Sequence, residues 1–450
     1  MLKQLNLVAI HETAPKCFLC VKNAATRIPY FLDYYRRLGV GTFFFVDNDS
    51  SDGSRELLLA QPDVVLYWTD ESYQEANAGR RWTDELLDRY GADSWCLTLD
   101  IDEFLLFPFC EAIDLPTFCR YLEAQRYDGL FTVMLDFYPG GDLADAAYAA
   151  GDPVFDVAPC YDDVERYRVH SDTYFPYFNV RGGVRQRIFY ASWGHMAGPP
   201  QKKIPLVRNH EGFAYHYSTH GVTPLRLADV TAILGHFKFF ADSGEYVDAE
   251  LKGRDRKNPA DYVRYRRGIR ENESFFSNDV SRRFDSSVTL LDEGFVAVSD
   301  AYLDFLVAED ERGESTRLSQ YRQRITDERK NRRRNVAELR DLIRVWPIMS
   351  ALQPCAGSGP GEDVTHRYLD ALNYVNSSKD NYSLAFTLPL RRFLRRHRLI
   401  NAKAMPETMG SDYTLKEKIR FTYDSVWWDL AAPVRLIGRF YDHLKWRFRR

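Results

Sequence analysis

The chain is 450 residues long, 45% hydrophobic and 28% charged, which excludes a disordered chain and predicts two or three domains with ample core. Its longest apolar runs, such as Phe43-Phe44-Phe45-Val46, are too short to span a bilayer, and its first residues offer no long apolar stretch or small-residue cleavage site, so no signal peptide is expected. The formal charge of −4 conceals two regions of opposite sign: residues 311–450 hold 28 Lys and Arg against 16 Asp and Glu, and residues 1–310 hold 32 against 48.

In chain order, KCFLCV (16–21) reads as a strand. RIPYFLDYYRRLG follows as a helix, with Ile28, Phe31, Leu32, Tyr35 and Leu38 at helical spacing and Gly39 as its stop. TFFFV (42–46) is a second strand, which ends in the polar turn DNDSSDGS before the helix RELLLA. VVLYW (64–68) is a third strand, residues 73–90 a helix stopped by Gly91, WCLTLDI a fourth strand and GLFTVML (129–135) a fifth. Such alternation with short loops predicts an α/β fold with a mostly parallel sheet flanked by helices, and ligands bind such sheets beyond the carboxyl ends of the strands.

Residues 140–250 are rich in Tyr, Gly, Pro and His, as expected of long functional loops beside short strands. A charged helix is expected over 313–350, a linker over 351–363 (CAGSGPGED at 355–363) and a basic helical region over 364–450. In that last region RRFLRRHRLI and VRLIGRFYDHLKWRFRR interleave arginine with apolar residues. This pattern suits either peripheral contact with an anionic membrane or a helix packed on the preceding domain with its arginines solvated. The acidic first two-thirds and the lack of a recognised module argue against nucleic acid.

The segment SWCLTLDIDEFLLF (94–107) places three carboxylates in an otherwise apolar run. On an extended strand, Asp100 and Asp102 point to one side, and two carboxylates sharing a site repel unless a cation lies between them. Hard oxygen ligands favour Mg2+ or Mn2+ with substrate phosphates completing the shell; the plainer alternative is two aspartates capping turns.

Three segments in order, CVKNAATRIPYFLDYYRRLGV, FFFVDNDSSDGS and WCLTLDIDEFL, resemble the nucleotide-sugar-dependent glycosyltransferases of the GT-A fold, closest to the family 2 relatives and the family 92-like group. The resemblance covers about 240 residues and implies a GT-A (Rossmann-like) catalytic domain over 1–250, with 251–312 as its acceptor-side continuation. It implies a metal-dependent enzyme, inverting in stereochemistry, that moves a sugar from a nucleoside-diphosphate sugar to a carbohydrate or glycolipid acceptor in envelope or extracellular polysaccharide synthesis. The roles implied are Asp47 on the nucleoside, Asp100 and Asp102 on a Mn2+ or Mg2+ ion bound to the donor diphosphate, and Glu103 on the loop or the sugar. His236, in LGHFKFF, would be a third metal ligand, with Lys238 a diphosphate partner. One departure stands out: where the family has Glu after Lys-Asn, this chain has Ala24.

RGGVRQRIF, with Arg185, and QKKIPLVR supply cations able to clamp phosphate, unless they form a glycine hairpin followed by solvated basic residues. Gly182-Gly183 would let backbone approach a ligand. An inverting transfer needs a carboxylate base, for which Asp136 in MLDFYPG is the candidate and Glu211 the rival. His210, His216 and His220 suit loop hydrogen bonding or acceptor contact before metal binding, with His220 favoured. DNDSSDGS lacks the twelfth-position Glu of a calcium loop. Cys17 and Cys20 lie in an apolar strand without a second pair, so buried inert thiols are expected; with seven scattered cysteines this fits a reducing cytoplasm, possible also at the inner membrane face. A sugar nucleotidyltransferase would also need carboxylates and a metal, but the glycine-rich phosphate loop it normally carries is missing. A non-catalytic binding relative is the third reading, which Ala24 favours and the intact aspartate pair opposes.

Overall fold

The computed structural model describes residues 2–329 apart from 172–174, 176–177, 194–197, 216–217, 224, 253–258 and 313–316. These residues fall into two compact units, one comprising 2–170, 179–209 and 226–329, the other 171–178 and 210–225. The predicted linker 351–363 and the basic region 364–450 lie outside the described residues, as does most of the predicted charged helix; of that helix, residues 318–329 are helical. Among the described residues no helix is long and apolar enough to cross a membrane.

The larger unit is built on a nine-stranded sheet. Its strands are β1 (Lys3–Gln4), β2 (Lys16–Val21), β3 (Thr42–Asp47), β4 (Val64–Trp68), β5 (Trp95–Thr98), β6 (Glu103–Leu106), β7 (Gly129–Asp136), β11 (Lys202–Arg208) and β12 (Ala232–His236). Between β7 and β11 come three short strands, β8 (Cys160–Asp162), β9 (Tyr167–Ser171) and β10 (Phe178–Gly182); β13 (Ser281–Arg283) pairs with β8. The sheet order is β1-β4-β3-β2-β5-β11-β7-β12-β6. β2, β3, β4, β5, β7 and β12 run one way, and β1, β11 and β6 run against them. The fold is therefore α/β, with a large, mostly parallel sheet of Rossmann-like character flanked by helices.

The helices are α1 (Ile28–Leu38), α2 (Ser54–Leu59), α3 (Arg80–Tyr90), α4 (Leu115–Ala124), α5 (Val154–Val157), α6 (Gly183–Phe189), α7 (Ser243–Lys252), α8 (Pro259–Glu271), α9 (Ser287–Asp292) and α10 (Asp300–Arg312). α1 buries Ile28, Phe31, Leu32, Tyr35 and Leu38, the stripe expected from spacing, and Gly39 closes it in the left-handed region at φ 99°. α3 is shorter than the expected 73–90, because Asn77, Ala78 and Gly79 take φ values of 55°, 58° and 74°, which no helix tolerates. Position 250 falls inside α7, and Leu290, Tyr302, Leu303 and Leu306 share one core with the strands, so residues on both sides of 250 belong to the same unit.

The fourth strand also departs from expectation. β5 ends at Thr98, residues 100–103 turn with Glu103 N donating to Asp100 O at 3.1 Å, and Glu103 opens β6. Asp100 and Asp102 therefore sit in a turn, not on a strand. β6 lies at the sheet edge, and α1 covers its outer side. Tyr35 Oη donates to Glu103 O at 2.9 Å and accepts from Leu105 N at 3.0 Å, while Tyr34 Oη donates to Leu105 O at 2.7 Å. Phe104 is buried among Tyr30, Phe31, Tyr34, Tyr35, Phe155 and Phe237, which fixes the turn from below.

Candidate active site

β5, β7 and β12 end on one edge of the sheet at Thr98, Asp136 and His236; β11 and β6 run the other way and begin there. Strand register then dictates the neighbours. His236 lies opposite Asp136 on β7 and opposite Glu103 on β6, and directly opposed residues present their side chains to one face. His236 Nδ1 is 2.6 Å from Asp136 Oδ1, and Nε2 is 3.4 Å from Asp102 Oδ2. On the other side of Asp136, Oδ2 accepts from Arg185 Nε at 2.6 Å and from Gln201 Nε2 at 3.2 Å.

Lys203 supplies the second cation. Its ammonium is ion-paired to Glu103 and lies 3.1 Å from Asp100 Oδ2. Glu103 and Lys203 are only 1% and 3% exposed, so this is a buried pair. Burial pushes the Glu103 carboxyl up to about 7 against the pull of Lys203, with Asp100 and Asp102 adding to the rise. For Asp102, desolvation is outweighed by the charges of His236, Arg27 and Lys238, which hold its carboxyl well below the usual range. Asp136 is held low in the same way, by Arg185 and His236 against burial.

Two further cations thus act on Asp102. Arg27, just ahead of α1, donates from Nη1 to Phe237 O at 2.8 Å and rests over the rings of Phe240 (5.0 Å) and Tyr148 (5.9 Å). Lys238 Nζ lies 5.3 Å from the rings of Tyr262 and Tyr265 and 5.8 Å from Tyr246. Sequence reading named Lys238 but not Arg27, whose signal was its place in the loop at the carboxyl end of β2.

Several expected roles need correction. Among the described residues no group of three or more His, Cys, Asp or Glu could hold a metal, so the trio of Asp100, Asp102 and His236 is not assembled: Asp100 turns to Lys203. What remains is a pair. Asp102 Oδ2 and His236 Nε2 are in contact as an ion pair at 3.4 Å. Asp136 does not suit the base, being fully buried with both oxygens engaged. Arg185, 5% exposed, is bound to Asp136 rather than turned to a nucleotide.

Asp47 is likewise fully buried, with Oδ2 on Arg55 Nε at 2.6 Å and Oδ1 on Ser50 N at 2.9 Å. The turn after it grips the loop after β2: Ala24 N donates to Ser54 Oγ at 2.8 Å and Ala25 N to Asp52 Oδ2 at 2.9 Å. Gly182 and Gly183 are packed against Arg166 backbone and the Tyr167 ring, which leaves no room for a Cβ, so they serve chain packing. Gln201, Lys202 and Lys203, read as solvated or phosphate-clamping, are buried. Cys17 is buried with its thiol pushed up by desolvation, and Cys20 is also free; Glu211, His210 and His220 lie in the smaller unit. His216 lies outside the described residues.

The fold and this edge define an α/β protein whose parallel strands converge on an acidic cluster ringed by Arg27, Lys203 and Lys238. In comparisons with known proteins, no family model and no curated protein matches the chain.

Proposed function

We propose that the chain is a metal-dependent glycosyltransferase of the GT-A type, taking its sugar from a nucleoside-diphosphate sugar and passing it to a hydroxyl of a carbohydrate or glycolipid acceptor. The observation that carries this reading is the 3.4 Å approach of Asp102 Oδ2 to His236 Nε2, at the edge where parallel sheets bind ligands. Asp102 and His236 would hold Mn2+ or Mg2+, which supplies charge stabilisation to the departing diphosphate.

The chain's own groups complete the task. Arg27 and Lys238, whose charges already reach Asp102, stand ready for phosphate oxygens. Lys203 offsets part of the charge of Glu103 and Asp100, so a polyanionic donor does not meet three bare carboxylates. The inverting outcome and the acceptor class rest on the family resemblance alone.

The test is incubation with a panel of nucleotide sugars and Mn2+ or Mg2+, reading nucleoside-diphosphate release for wild type and Asp102→Asn. Metal-dependent release that falls at least 100-fold in the variant is expected. Release indifferent to chelator and to Asp102→Asn overturns the reading, and pyrophosphate formation from a sugar phosphate and a nucleoside triphosphate replaces it with a nucleotidyltransferase.

A further inference from the structure

We infer that Tyr246, Tyr262 and Tyr265 are positioning residues, an aromatic seat that holds the ammonium of Lys238 in place for a phosphate-bearing ligand. This rests on the function proposed above only for the identity of that ligand, and it needs no metal ion. Lys238 Nζ lies 5.3 Å from the ring centroids of Tyr262 and Tyr265 and 5.8 Å from that of Tyr246. The rings come from two helices, Tyr246 from α7 and the others from α8, and Tyr262 and Tyr265 meet edge to face at 5.9 Å. The backbone at Lys238 is pinned on both sides, by Phe237 in the main core and by Phe239 in a second core that Val247 and Tyr265 share.

The manner of holding matters. Lys203 and Arg185 are held by carboxylates, which offset their charge. An aromatic face attracts a cation through its quadrupole and brings no net charge, so the rings fix the ammonium without adding an anion. The charge of Lys238 reaches Asp102, which places the seat beside the carboxyl edge of the sheet. Arg27 rests on Phe240 and Tyr148 in the same manner. A lysine carries its charge on a flexible four-carbon stem, and one already seated loses less freedom when a ligand arrives. Tyr246 is 40% exposed, so the seat meets solvent on that side.

The test uses the full chain, inorganic pyrophosphate as probe and a chelator throughout, read by isothermal titration calorimetry. Tyr265 is buried beside Arg185 and is left intact. Tyr246→Leu/Tyr262→Leu keeps apolar bulk and removes the ring faces; it should bind pyrophosphate about 3–10-fold more weakly than wild type. Tyr246→Phe/Tyr262→Phe keeps the faces and should stay within about twofold of wild type. In a Lys238→Met background, itself weakened, the leucine pair should cost nothing further, a result that mere loosening of α7 and α8 does not give. Wild-type affinity in the leucine variant, or an equal loss with and without Lys238, overturns the seat. Should the leucine variant not fold, trifluorophenylalanine at position 262 is compared with Tyr262→Phe: the ring keeps its shape and loses its negative face, so weaker binding supports the seat and unchanged binding overturns it. Failure of wild type to bind pyrophosphate also overturns it. The expected pattern without nucleoside-diphosphate release from any nucleotide sugar leaves the seat standing while the proposed function falls.

Discussion

At the residue scale, Lys203 shows how a charge can be carried inside a sheet. It sits on β11, 3% exposed, with Glu103 and Asp100 as counter-ions. Breaking a buried pair by removing one partner costs more than the pair contributes, because the survivor stays desolvated. Lys203→Met should therefore lower stability by about 3 kcal/mol in urea denaturation, and Lys203→Met/Glu103→Gln should recover more than half of that loss. A single variant as stable as wild type would show that Glu103 is neutral in the native chain. The pairing was not legible in the sequence. QKKIPLVR offers two lysines with no acidic neighbour, and Glu103 is 100 residues from Lys203, so a phosphate clamp and solvated basic residues were both open readings. Asp102 and His236 were named from residue type and from lying near strand ends; the turn that carries Asp102, the diversion of Asp100 and the burial of Asp47 and Asp136 depend on packing.

At the scale of elements, α1 and β6 form the support for the acidic turn. The Tyr35 hydroxyl satisfies the carbonyl of Glu103 and the amide of Leu105, both inside the protein. Tyr35→Phe keeps the ring and strands those two groups, which should cost roughly 1–3 kcal/mol. The shift should appear in the denaturation midpoint together with faster amide exchange at Leu105. The stripe of α1 was readable because 3.6-residue periodicity is local, as were β2, β3, β4 and β7. α4 was not foreseen, although Asp114 caps it by accepting from Thr117 N at 2.8 Å with Pro116 in its first turn, a start signal available in the sequence. The fourth strand was read on to Ile101, past the end of β5 at Thr98, and β6 was not foreseen as a separate strand, for a physical reason. LDIDEFLLF is apolar enough to continue, and only the Asp100–Glu103 turn and the pairing of β6 with β12 show that the chain has reversed.

At the scale of the whole molecule, the sequence divides its charge between an acidic region up to residue 310 and a basic one beyond it. Basic residues interleaved with apolar ones predict adsorption to anionic surfaces, weakened by salt. Full-length protein should sediment with phosphatidylserine-containing vesicles at about 50 mM salt, much less at about 500 mM, and not with neutral vesicles. The larger unit carries its own constraint, set by β11. This strand fills the gap between β5 and β7, yet it is encoded after both, and Lys203 follows Glu103, as His236 follows Asp136, by 100 residues. At roughly 5–20 residues per second, a ribosome delivers those cations about 5–20 s after the carboxylates they neutralise. Through that interval the nascent chain holds one half-sheet, β1-β4-β3-β2-β5, with an open edge, while β7 and β6 await β12, a state exposed to misassembly and to capture by chaperones. Timing of translation across residues 137–236 thus becomes a determinant of yield that no property of the finished protein reveals.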